Sequence, residues 1–228
     1  MKTRRNLLAL YTVIALVADA WHAKAETVTF NTYTPGTAEY PVNWTSATPV
    51  LFSSPGSPLS GSTVAGIFDI TVDGFACRSF CVDLTHYIPP FSVPNSNYSF
   101  VDPLSVGLNQ TQITDLERLL TSYGNLVDAA PQNAAAFQMA VWEITNEASG
   151  SYNLGSGNFT ESGNTQAVSL ANTWITNLGT QNNYSIEILK SSDGHQSQMT
   201  WTPVPEPGSA MLIGSFGLLL ITRRRRVA

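Results

Sequence analysis

The chain has 228 residues, of which 43% are hydrophobic and 12% are charged, with a formal net charge of −5. This length suits one domain with processing segments, and the apolar fraction is enough for a buried core. Between residues 26 and 203 only Arg78, Arg118 and Lys190 are basic, against fourteen Asp and Glu. A body this acidic makes nucleic acid an unsuitable partner.

The first 25 residues have the pattern of a secretory signal. A basic segment at residues 1–5 precedes an apolar run at residues 7–18, which is too short to span a bilayer comfortably. The run Ala23-Lys24-Ala25 fits the small-x-small cleavage pattern. We therefore expect cleavage between Ala25 and Glu26, and a mature domain over residues 26–203.

Strands are predicted first along this domain. Residues 26–33, 63–72 and 80–85 are rich in Val, Ile, Thr and aromatic side chains, as strands are. The segment at 35–61 is dense in Pro, Gly, Ser and Thr, with a candidate short strand at 50–52. Prolines at 89, 90 and 94 predict a loop there, extending through Asn95.

Helices are predicted in the middle of the chain, and strands return at its end. Helical spacing of apolar residues occurs at 108–123, at 134–147 and at 164–178, where Asn164 is a candidate N-cap. A loop is predicted at 149–163. Strands at 184–190 and 196–202 flank Asp193-Gly194, a hairpin signal. This order predicts a mainly β fold with inserted α-helices, either a β-sandwich or a barrel carrying a small helical subdomain.

The two cysteines, Cys77 and Cys81, lie four residues apart. In an exported protein a disulfide is the ordinary interpretation. In an extended strand their α-carbons would be separated by roughly 13 Å, whereas a disulfide requires about 7 Å or less. A turn at Arg78-Ser79 would bring them together, so the spacing leaves both possibilities open.

The predicted helix at 134–147 presents two stripes of side chains. Phe137, Val141 and Ile144 share one face, and the adjacent face carries Gln138, Trp142 and Thr145. On spacing alone, Gln138 is an ordinary polar residue at the boundary of a buried helix.

A second run changes this interpretation. The sequence FCVDL at 80–84, followed by FQMAVWEI at 137–144, resembles the motif pair of the thioester domains of bacterial surface adhesins. The resemblance implies an internal thioester between Cys81 and Gln138, with Phe80, Phe137 and Trp142 as candidates for a water-excluding wall. It also implies covalent attachment to an amine- or hydroxyl-bearing surface target or exopolysaccharide. We expect no cofactor and no metal.

The last segment, residues 204–228, carries a second resemblance. Val204 opens the run VPEP, an apolar stretch follows at 209–222, and four arginines stand near the terminus. This combination resembles the PEP-CTERM sorting signal, whose elements are Pro205, Glu206 and Pro207, then Arg223, Arg224, Arg225 and Arg226. It implies an exosortase-type processing enzyme, transient anchoring in the inner membrane, and a final location in the cell envelope or extracellular matrix.

Two alternative functions remain from the sequence. The first is a non-covalent structural or carbohydrate-binding protein of the polysaccharide matrix. The second is a cysteine hydrolase that pairs Cys81 with His86 or His195 and a carboxylate such as Asp83. A strand continuing to residue 85 would place His86 on the opposite face from Cys81. Since no metal-ligand spacing or phosphate loop is present, we expect no enzyme activity.

Overall fold

The computed structural model describes residues 25–34, 40–147 and 150–204. Within these ranges the chain forms nine β-strands, three α-helices and two short 3₁₀ segments. The strands are β1 (Glu26–Thr34), β2 (Pro41–Ser46), β3 (Ser60–Val64), β4 (Ile67–Val72), β5 (Phe75–Cys81), β6 (Asn95–Val101), β7 (Phe159–Gly163), β8 (Tyr184–Ser191) and β9 (Gln198–Pro203). The helices are α1 (Gln110–Tyr123), α2 (Pro131–Asn146) and α3 (Thr165–Thr176), and the 3₁₀ segments are Pro103–Val106 and Gly124–Ala129.

Six strands close into a barrel in the order β1-β4-β5-β9-β8-β6, and the other three form a sheet in the order β3-β2-β7. Closure follows because β1 pairs antiparallel with both β4 and β6. A closed barrel leaves no unpaired sheet edge. The predicted mainly β fold with inserted helices is therefore confirmed, and the barrel is the form that it takes.

Helix α2 is the central element of the helical layer. Every residue from Ala134 to Thr145 is buried, although the sequence predicted a helix with distinct buried faces. A helix that is covered all round is packed on several sides, here by α3, β5 and β7. The helix begins at Pro131, which is favourable at the first helical position because proline has no N–H to leave unpaired.

The other two helices begin at asparagine caps. Asn109 and Gln112 form a reciprocal capping box at the start of α1, so the helix begins two residues later than predicted. Asn164 caps α3 as predicted, accepting hydrogen bonds from the N–H groups of Gln166 and Ala167. Helix α3 ends at Thr176, slightly before the predicted end.

Two predicted strands have different bounds in the structure. The single strand predicted over 63–72 is two strands, because the chain leaves one sheet after Val64 and enters the barrel at Ile67. The short strand predicted at 50–52 is a turn, in which Phe52 adopts a positive φ of 65°.

The strand that carries Cys81 also differs from the prediction. It spans Phe75–Cys81 instead of 80–85, so Cys81 is its last residue. Beyond it the Asp83 carboxylate accepts hydrogen bonds from the N–H and hydroxyl of Thr85. A local bond from Asp to a backbone N–H two residues ahead is a turn that competes with strand pairing, and it ends β5.

Three strands were not predicted. β2 lies in the segment rich in turn-forming residues, β6 begins at Asn95 in a predicted loop, and β7 occupies the end of the predicted loop at 149–163. The C-terminal hairpin is confirmed, with β8 and β9 paired antiparallel around Asp193-Gly194. Its second strand begins at Gln198, two residues later than predicted.

The predicted leader and sorting segments lie outside the described residues, apart from Ala25 and Val204 at their inner ends. None of the helices in the described ranges combines the length and apolar character that crossing a bilayer requires.

Candidate functional site

Cys81 and Gln138 meet at the junction of the barrel and helix α2. The Cys81 N–H donates to Gln138 Oε1 at 2.8 Å, and Gln138 Nε2 donates to the Cys81 carbonyl oxygen at 2.8 Å. Both residues are buried, with exposed fractions of 2% and 1%. The glutamine carboxamide is therefore fixed at both ends on the backbone of the cysteine.

The Gln138 carboxamide can bind the Cys81 backbone because β4 and β5 stop pairing before Cys81. β4 and β5 are paired from Val72 and Phe75 to Phe68 and Ser79, where their register ends. Beyond Ser79 the backbone of β5 has no β4 residue opposite it, and buried N–H and C=O groups require partners. The Gln138 carboxamide supplies one acceptor and one donor, in the manner of a neighbouring strand.

The Cys81 sulfur is a buried thiol. Its Sγ donates to the Asp83 carbonyl oxygen at 3.0 Å. Burial, the largest influence, and the Asp83 charge raise the pKa of the Cys81 thiol well above its usual range, because both disfavour the thiolate.

The three aromatic residues predicted as a wall lie in two places. Phe80 and Phe137 are fully buried and stack on each other, with ring centroids 4.5 Å apart. Trp142 lines a cavity of about 380 Å³ together with Cys81. Trp142 therefore borders the cavity beside Cys81, while Phe80 and Phe137 belong to the packed core.

The cavity beside Cys81 has an aromatic and hydroxyl-bearing wall. Its wall includes Tyr33, Trp44, Ser62, Thr63, Tyr87 and Phe91. Two polar atoms at this cavity, the Tyr33 hydroxyl and Trp142 Nε1, are buried without a hydrogen-bond partner among the described residues. Burial raises the pKa of Tyr33 above its usual range, so its hydroxyl stays protonated as a donor.

His86 lies in the same wall, contrary to the prediction that it would face away from Cys81. The prediction assumed a strand through residue 85, but β5 ends at Cys81 and the turn at Asp83 redirects the chain. His86 Nδ1 lies 2.8 and 3.0 Å from the two carboxylate oxygens of Asp83. Sequence analysis did not identify Tyr33, Ser62 and Thr63 as residues of this cavity, because no local pattern distinguishes them.

His195, the second histidine considered as a partner of Cys81, lies outside the cavity. His195 Nδ1 lies 2.9 Å from Asp193 Oδ1, in the hairpin between β8 and β9, and His195 does not line the cavity. The Asp193 carboxylate also accepts hydrogen bonds from Asn95 and Asn97, which tie the hairpin to β6. His195 is therefore part of a turn.

Cys77 and Cys81 are both free thiols in the structure. They lie on one extended strand, β5, where four residues span roughly 13 Å, beyond the reach of a disulfide. Burial raises the pKa of the Cys77 thiol to about 11, and Cys77 takes no part in the cavity. Among the described residues no group of three His, Cys, Asp or Glu converges on a metal position.

No protein-family model and no curated protein matches the chain. Similar solved structures include the following two. One is the N-terminal thioester domain of a surface protein from Clostridium perfringens, at 13% identity and a TM-score of 0.42. The other is that domain with a cysteine replaced by alanine, at 12% identity and a TM-score of 0.45. Each match covers 72% of this chain and 99% of the other. Similarity this distant does not assign a function.

Proposed function

We propose that this chain is an exported bacterial surface protein in which Cys81 and Gln138 form an internal thioester for covalent attachment. The observation that carries the proposal is the docking of the Gln138 carboxamide on the Cys81 backbone through two hydrogen bonds of 2.8 Å. Both partners are held in one buried place before any bond forms, which removes much of the entropic cost of bringing them together.

The hydrogen bonds on the carboxamide suit acyl transfer. The Cys81 N–H donates to Oε1, where negative charge develops when a sulfur attacks Cδ. The Cys81 carbonyl holds Nε2, which departs as ammonia after taking the thiol proton. One C–S bond forms and one C–N bond breaks, so the only other product is ammonia.

A neutral Cys81 thiol is compatible with slow formation of the thioester. Burial raises the pKa of Cys81, so the thiolate is scarce. A thioester forms once in the life of each chain, whereas a cysteine hydrolase must regenerate its thiolate at every turnover. The Gln138 carboxamide, bound to the Cys81 backbone, also offers the thiol an acyl group within the chain itself. These features support the thioester over the hydrolase.

The amine content of the domain supports the same function. Lys190 is the only lysine between residues 26 and 203, and it lies on β8 with an exposed side chain. An internal thioester reacts with amines, so a domain with few of them is protected from reaction with itself.

The ends of the chain supply the cellular context of the proposal. The leader over residues 1–25 exports the chain, and the segment at 204–228 anchors it transiently in the inner membrane for an exosortase-type enzyme. The mature domain then acts in the cell envelope or extracellular matrix, where an amine- or hydroxyl-bearing polymer is its target.

A second candidate is non-covalent binding of matrix carbohydrate. It is favoured by a separate groove of about 770 Å³ beside α3, whose wall is rich in amide and hydroxyl groups. These include Asn153, Ser162, Thr165, Asn172, Thr173 and Asn177. Such side chains offer both donors and acceptors to a neutral polyhydroxyl ligand.

The intact mass of the mature domain distinguishes these functions. If the thioester is present, the measured mass is lower than the mass calculated from the sequence by one ammonia. Methylamine should then add to Gln138 as an amide and free the Cys81 thiol for alkylation. Cys81→Ala and Gln138→Ala remove the deficit, whereas the matched control Cys77→Ala keeps it. Full mass with no methylamine uptake in fresh wild-type protein would leave carbohydrate binding as the function.

A further inference from the structure

We propose that His86, oriented by Asp83, is the general base that directs the thioester toward hydroxyl-bearing acceptors of the carbohydrate type. This inference rests on the proposed function, because it assigns the acceptor chemistry of the same bond. It begins from the position of His86 in the wall of the cavity that also contains Cys81.

The Asp83 carboxylate determines which nitrogen of His86 is available. Asp83 is 1% exposed, and its two carboxylate oxygens lie 2.8 and 3.0 Å from His86 Nδ1. It also accepts from the N–H of Thr85 at 3.0 Å and of Ser197 at 3.4 Å, which hold it in place. Since a carboxylate only accepts, the Nδ1 atom carries the proton and the Nε2 lone pair is the basic site.

Nε2 is free to take a proton. Among the described residues it has no hydrogen-bond partner, and the His86 side chain is 31% exposed. The ring is anchored at its other nitrogen, so an acceptor that enters the cavity meets a base in a fixed orientation. Enzymes that catalyse acyl transfer commonly orient a basic side chain through a third group in this way, and here Asp83 orients His86.

Hydroxyls and amines differ in whether they need a base to attack a thioester. An unprotonated amine attacks a thioester without help, whereas a hydroxyl is a weak nucleophile until its proton is removed. In the proposed step the acceptor oxygen bonds to Gln138 Cδ while His86 Nε2 takes the hydroxyl proton. The bond from Cδ to Cys81 Sγ then breaks, and the leaving sulfur receives that proton from Nε2. The products are an ester and a thiol, and no other reactant is consumed.

The cavity wall suits an uncharged polyhydroxyl acceptor. None of its lining residues is Lys, Arg, Asp or Glu, and its hydroxyl-bearing residues include Ser60, Ser62 and Thr63. The buried O–H of Tyr33 and N–H of Trp142 have no partner among the described residues. These two donors are available to an acceptor hydroxyl or to the acyl oxygen. Tyr87 and Phe91 expose aromatic surface at the same cavity, against which the apolar face of a sugar ring packs.

The test compares His86→Asn with wild type, because the asparagine amide can replace the Nδ1 donor to Asp83 but supplies no base. His195→Asn is the matched control, since it changes a histidine that is also bound to an aspartate but lies outside the cavity. Each protein is incubated with glycerol or with methylamine, and intact mass follows the adducts. A third sample in buffer alone records hydrolysis of the bond.

His86→Asn should keep the ammonia deficit and its methylamine uptake. Its glycerol uptake and its hydrolysis should fall about 100-fold or more, the usual contribution of a general base. His195→Asn should match wild type in all three reactions. Glycerol uptake at the wild-type rate in His86→Asn would overturn this inference alone, as would loss of the deficit, which would place His86 in bond formation. A wild-type protein of full mass would overturn the thioester itself.

Discussion

Gln138 makes both of its carboxamide hydrogen bonds to the backbone of one residue, Cys81, which is 57 positions earlier in the chain. The contact is buried, and it joins the last residue of a barrel strand to the middle of a helix. It is at once a structural link and the arrangement from which a thioester can form. The two roles can be separated by mutation.

The structural role is tested in a Cys81→Ala background, which cannot form the bond but keeps the backbone groups that Gln138 holds. Adding Gln138→Met leaves the N–H and C=O of residue 81 buried without partners, and each should cost about 1–3 kcal/mol. Urea unfolding of the single and double variants measures the difference. Equal stability would show that water or another group replaces the glutamine. Gln132→Met, in the first turn of the same helix, is the control and should have little effect.

Trp142 should affect both the stability of the domain and the lifetime of the proposed thioester. It is 1% exposed, so Trp142→Ala should cost about 3–5 kcal/mol and admit water to the cavity beside Cys81. The ammonia deficit should then disappear faster in buffer. The control is Trp201→Ala, which removes a ring stacked on Phe80 outside the cavity. It should lower stability but leave the lifetime unchanged. An unaltered lifetime in Trp142→Ala would contradict the shielding role.

Stability should decrease as pH rises through the weakly acidic range. Burial, the largest influence, raises the pKa of Glu143 from 4.5 to about 7, and the Glu147 charge adds to this, while the hydrogen bond from Asn153 opposes it. The folded protein therefore holds a proton between these pH values that the unfolded chain releases. The stabilisation is complete below pH 4.5 and is lost as pH rises to about 7, by roughly 1–3 kcal/mol.

Glu143→Gln should flatten this pH dependence, because the amide keeps an oxygen for the Asn153 N–H and does not titrate. Glu161, whose pKa burial and Glu143 also raise, should extend the decline to higher pH. Urea unfolding at several pH values measures the slope. The control variant Glu187→Gln, on β8, should keep the wild-type slope. A stability that rises between pH 4.5 and 7 would contradict the assignment.

The processing segments predict the ends of the mature protein. Secreted material should begin at Glu26 and lack the arginines at 223–226, and alanines at Pro205, Glu206 and Pro207 should retain the chain in the inner membrane. Terminal sequencing and fractionation test both statements. A mature surface protein that still carries the four arginines would indicate a retained anchor instead of a sorting signal.

Local signals in the sequence determined the helices and the last hairpin. Asn164 and Pro131 mark helix starts because their preference depends on the nearest turn of backbone alone. Asp193-Gly194 marks a hairpin because Gly194 accepts a positive φ of 82°. The contact between Cys81 and Gln138 was indicated as well, through the resemblance of two short motifs, whereas the thioester itself stays a prediction.

Only the tertiary structure decided the remaining strands and the cavity. β2, β6 and β7 lie among turn-forming residues, and they are strands because distant segments pair with them, as β7 does with β2. His86 shares a cavity with Cys81 because β5 ends at Cys81, where its pairing with β9 ends, and the turn at Asp83 redirects the chain. Strand pairing and cavity walls join residues far apart in sequence. Periodicity within one segment carries no information about them.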